Sequence, residues 1–246
     1  ATLIPMTTIA ASWLNWAEPR LSTNGRSIAV LLIGAGIFAF TFAVPAVKRG
    51  GRTLVTVVHE AGHAVVGIAC GRRFQGFVVQ RDMSGHAVTK GKPTGPGRIL
   101  TTWAGYPAPA LLGAFLVVGA LSGWSKAIVI VTIVALIGLL VMSRSVRTVL
   151  VILGSALVFA ALWQLGDRIQ VGALAQAGVV AGIGLILLIG AWTSLQDVAR
   201  TRDREQDHFT LAALTRMPSW MWILTWFLVD LAASAWAVHV AFDAVT

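Results

Sequence analysis

Residues 57–70 read VVHEAGHAVVGIAC, two histidines and a glutamate set in an otherwise apolar run. As a helix, the run brings His59 and His63 one turn apart onto the same face, so both imidazoles can reach one metal ion, and Glu60 is left free to act as a base. A zinc ion with three protein ligands keeps an open position where water is acidified, and a neighbouring carboxylate can take its proton as it attacks a carbonyl. The expected reaction is therefore peptide-bond hydrolysis, with Glu60 catalytic, His59 and His63 as metal ligands and Zn2+ as the cofactor. A bare HExxH pattern also occurs in helices that bind nothing. Inside a membrane span, however, each charged group costs a few kcal/mol to insert, which disfavours a triad without a role.

The surroundings support that membrane setting. The chain has 246 residues, 57% of them hydrophobic and 12% charged, which is the composition of a polytopic membrane protein rather than a soluble domain. Its single cysteine, Cys70, excludes an internal disulfide and a cysteine-rich metal site, leaving histidine and carboxylate to hold any zinc. The net charge of +9 does not read as nucleic-acid binding, because the basic residues are scattered through short loops. They read instead as topology signals.

Apolar runs at about 27–47, 53–70, 98–121, 126–142, 148–165, 172–192 and 219–241 give an expectation of about seven transmembrane helices. With that count, fourteen Lys and Arg fall on one side and five on the other. The positive-inside rule then puts the N-terminus in the cytoplasm and the metal site nearer the cytoplasmic face. Residues 1–26 lack the basic and apolar regions of a cleavable signal peptide and read as an interfacial segment, with Trp13 and Trp16 at headgroup level. Residues 27–246 read as one transmembrane domain. Trp124, Trp163, Trp192 and Trp220 fall near span ends, as anchors do, and Gly178 with Gly182 has a spacing that permits close helix packing.

After the HExxH helix, FQGFVVQ (74–80) and GHAVTK (85–90) read as two strands of a small β-hairpin spanning 74–90. A free edge at Phe77, Val78 and Val79 would allow an unwound substrate segment to add as a further strand. The alternative is a loop that packs at the membrane surface. The third apolar run carries Gly105, Pro107 and Pro109, so its backbone is expected to break, with the freed carbonyls satisfied by protein or water.

HEAGH in an apolar segment, the β-like stretch after it, AGYPAPALLG (104–113) and QDHFTLAALTRMP (206–218) together resemble the site-2 protease family of intramembrane zinc metallopeptidases. More narrowly they resemble its bacterial branch without a PDZ insertion. The resemblance implies a bacterial plasma-membrane enzyme that cuts within or beside the transmembrane segment of another protein, such as a membrane-tethered regulator or a signal-peptide remnant. It also implies that Asp207 is the third zinc ligand, on the 205–218 segment read as re-entrant, although Gln206 and His208 stand where the family has serine and alanine.

Depth argues the other way. His63 lies about 12 Å below the end of its helix at 1.5 Å per residue, so Asp207 reaches it only if the following segment dips inward, whereas Asp230 is already at that depth. Asp197 is a third candidate, in a charged run that reads as a solvated helix end. Two other classes of function compete with a protease: a non-catalytic membrane subunit or scaffold that retains a structural zinc site, and a metal-ion transporter. A degenerate subunit should have lost Glu60 or a histidine, and a transporter should show a second, inverted copy of the motif. The chain has the intact triad and one such motif.

Overall fold

The computed structural model describes residues 24–79, 85–142, 146–168 and 170–246. Their helices are α1 (Asn24–Ala43), α2 (Pro45–Ala69), α3 (Pro96–Trp103), α4 (Pro107–Leu121), α5 (Ser125–Met142), α6 (Val146–Arg168), α7 (Gln170–Arg200), α8 (Asp207–Thr215) and α9 (Ser219–Val245). Residues 1–23, most of the expected interfacial segment with Trp13 and Trp16, lie outside the described residues; Asn24 to Arg26 open α1.

α7 is the hub. It packs against α1, α2, α4, α5, α6 and α9, and 61% of its apolar window is buried, against 22% for both α1 and α9. Glycines make the approach close. A Cβ at Gly113 would stand 2.7 Å from the Gly184 carbonyl, and one at Gly184 equally close to the Gly113 carbonyl, so α4 and α7 touch backbone to backbone. Gly178 and Gly182 likewise receive Ile33 and Ile37 of α1, which is the packing that small residues permit between helices in lipid. On the outer face Leu32, Phe40, Val131, Leu157 and Phe242 are exposed, as lipid-facing residues are.

The span count differs from the expected seven. Among the described residues three helices, Gly25–Ala43, Val171–Arg200 and Ser219–Val245, are long and apolar enough to cross a membrane; α3 and α4, bent by 58°, make a fourth if they form one broken span. α2 carries Lys48, Arg49, Arg52, His59, Glu60 and His63, polar groups spread along most of its length. α5 and α6 run to 18 and 23 residues, with the shorter apolar stretches Ser125–Gly138 and Ile152–Gly166 among the described residues. The chain is an integral membrane protein whose described residues support three or four spans by length and composition, and the expected seven are not borne out.

α2 begins on Pro45, whose missing N–H costs nothing in a first turn. It ends in a left-handed turn at Gly71 (φ 73°), where the Gly71 N–H bonds to Ile68 O and the Arg72 N–H to Gly67 O. Beyond it Arg73–Val79 (β1) and Gly85–Lys90 (β2) pair antiparallel and pack on α2, pairing Phe77 with Ala87, Val78 with His86 and Val79 with Gly85. Residues 80–84, where the expected hairpin would turn, lie outside the described residues.

Candidate metal centre

The α3–α4 break builds the site. Pro107 has no N–H, so the Trp103 carbonyl cannot receive the bond that would continue α3. The Trp226 indole of α9 donates to it instead, at 3.0 Å. Two residues earlier the Thr101 carbonyl accepts from His63 Nδ1 at 2.7 Å. The proton is thereby held on Nδ1 and the Nε2 lone pair is turned towards His59, the outer-sphere arrangement that fixes the tautomer of a ligating histidine. Carbonyls left open where α3 ends thus receive a histidine and a tryptophan.

The two Nε2 atoms of His59 and His63 lie 3.1 Å apart, with ring planes at 86°. Asp207 Oδ2 stands 3.4 Å from His59 Nε2 and 3.2 Å from His63 Nε2. Bonds of 2.0–2.2 Å to a tetrahedral zinc ion set ligand atoms about 3.3–3.6 Å apart, and the sides of this triangle, 3.1–3.4 Å, come close to that spacing. Among the described residues these three form the one group of His, Cys, Asp or Glu whose ligand atoms all lie within 4.8 Å of one another.

Two glycines shape the pocket. Any Cβ at Gly105 would run into the His63 ring and approach His59 Cε1 to 2.7 Å, and one at Gly62, the glycine of HEAGH, would stand 2.7 Å from Ala108 Cβ. The motif helix and the break therefore meet at van der Waals contact. Glu60 lines a cavity of about 520 Å³ together with His59, Arg52, Tyr106, Asp197 and Gln206. It shares this space with a ligand yet is outside the ligand group.

The other acidic candidates are elsewhere. Asp197 lines the cavity wall without joining the His59, His63 and Asp207 group. Asp230 is 1% exposed on α9, and its Oδ1 has no hydrogen-bond partner among the described residues. His208 is also buried, its Nδ1 without a partner, and burial pulls its imidazole down against the opposing influence of Asp207. Residues 77–79 pair with β2 along one edge. Sequence reasoning missed Thr101, Tyr106, Gln206 and Trp226. A signal was present for Tyr106, the single tyrosine of the chain, placed directly before the prolines that break the helix.

Fold and site together define a helical membrane protein built around two histidines and an aspartate at metal-binding spacing, with a glutamate beside them. The sequence profile of the Peptidase M50B-like family matches residues 29–237, nearly the whole chain. The chain belongs to that family, and the resemblance to site-2 proteases is thereby borne out. Neither the curated proteins nor the solved structures compared with it gave a match.

Proposed function

We propose that this chain is an intramembrane zinc metalloendopeptidase that hydrolyses a peptide bond in or near the transmembrane segment of a membrane protein. The observation that carries this reading is the meeting of His59, His63 and Asp207 in one triangle while Glu60 faces the adjoining cavity. His59, His63 and Asp207 hold zinc, which when bound supplies Lewis-acid polarisation and acidifies water. Glu60 accepts the proton of the attacking water and returns it to the leaving amine, as a general base and then a general acid. His63 is kept in its ligating tautomer by Thr101 O. The cavity admits the substrate in extended form, and the unpaired edge of β1 at Phe77, Val78 and Val79 is a place where it can add as a strand.

The natural substrate class is a membrane-tethered regulator or a signal-peptide remnant, cut near the cytoplasmic face. Comparing membrane proteomes of wild-type and Glu60→Gln cells tests the proposal: a membrane protein should accumulate uncut in the variant. If none changes length or abundance under any stress applied, the reading passes to a zinc-bearing structural subunit.

A further inference from the structure

We propose that Tyr106 is a positioning residue which, through Gln206, holds Asp207 against the two histidines. This rests on the reading of His59, His63 and Asp207 as a metal site.

Tyr106 is fixed on three sides. One edge of its ring meets His59, with centroids 4.6 Å apart and planes at 88°. Its face stacks on the fully buried Trp226, at 4.3 Å and 25°, and Trp226 is itself pinned to the Trp103 carbonyl. Its hydroxyl donates to Gln206 Oε1 at 3.1 Å. The ring contacts need no hydroxyl, since a phenylalanine would make them as well. Among the described residues the hydroxyl has one partner, the residue that precedes Asp207.

Gln206 occupies the N-cap of α8 in an extended conformation (φ −66°, ψ 151°). Its carbonyl receives the Phe209 and Thr210 N–H groups at 3.1 Å, so moving Gln206 moves the start of α8 and Asp207 with it. Residues 201–206 have no regular secondary structure. Among the described residues their other hydrogen bonds are local: Thr201 N to Asp197 O, Asp203 N to Thr201 Oγ1, Glu205 N to Asp203 Oδ1, Gln206 N to Asp203 O and Gln206 Nε2 to Asp203 Oδ2. The bond from Tyr106 spans 100 residues and ties this connection to the break that also orients His63. One break in the chain thus organises ligands from two distant segments. Outer-sphere partners of this kind set metal affinity by restricting where a ligand can go.

The test is a zinc-affinity cycle on purified full-length protein, by competition against a chelator of known affinity. Tyr106→Phe keeps the ring and removes the hydroxyl. Zinc should bind about tenfold more weakly, Gln206→Ala should weaken it to a similar extent, and the double variant should be no worse than either single one. A general packing defect would add to the loss caused by Gln206→Ala, so a double variant clearly weaker than either single one overturns the proposal. So does unchanged affinity in Tyr106→Phe. Wild-type protein that binds no zinc overturns the metal-site reading and takes this proposal with it, an outcome distinct from the other two.

Discussion

Asp207 and Asp230 are both substantially buried acids, and they end in opposite circumstances. Asp207 opens a nine-residue helix and meets two imidazoles at 3.2 and 3.4 Å. Asp230 sits within a 27-residue helix, with one oxygen left without a partner. Depth along the chain favours the second; the fold brings the first to the two histidines. What makes a ligand is the convergence of lone pairs. α8 achieves this because it is short and packs on α3 and α9, which return it to the motif helix.

Losing a ligand should have the largest effect. His63→Ala leaves too few donors to compete for zinc, and elemental analysis should find the purified variant essentially without metal; full occupancy would remove the basis for treating this triangle differently from Asp230. Next comes Glu60→Gln, which keeps the shape of the side chain and removes the basic oxygen. Cleavage of a reconstituted substrate should fall by about 10² to 10⁴ with zinc content unchanged, so that Glu60 is a third acid with a third role; a loss of zinc in this variant would make it a ligand. Gly105→Ala puts a methyl group against both ligand rings, and zinc should bind about 10- to 100-fold more weakly. Equal affinity would mean that the helix break can withdraw freely. The smallest effect is expected from Asp230→Asn, with cleavage within about twofold of wild type, since neutral mutations at sites unconnected to the chemistry leave transition-state binding alone.

Much of the site was legible in the chain because HExxH is a local pattern: one helical turn determines that His59 and His63 share a face. The break at 104–106 was legible too, since Pro107 and Pro109 act through the backbone. The resemblance brought in Asp207, but spacing could not choose between it and Asp230, because the choice depends on how α8 packs. The count of seven spans was not borne out: among the described residues three or four candidates remain by length and composition. Tyr106 and Thr101 escaped notice because their roles are set by partners far away in sequence, His63 and Gln206, and by which carbonyls a proline leaves free.

The central claim is that Asp207 completes a zinc site and Asp230 does not. The most direct measurement is zinc stoichiometry, by elemental analysis, of wild type, Asp207→Ala and Asp230→Asn purified side by side. The account predicts about one zinc per chain in wild type and in Asp230→Asn, and a loss in Asp207→Ala comparable to that of a histidine variant. Zinc retained in Asp207→Ala and lost in Asp230→Asn would contradict it.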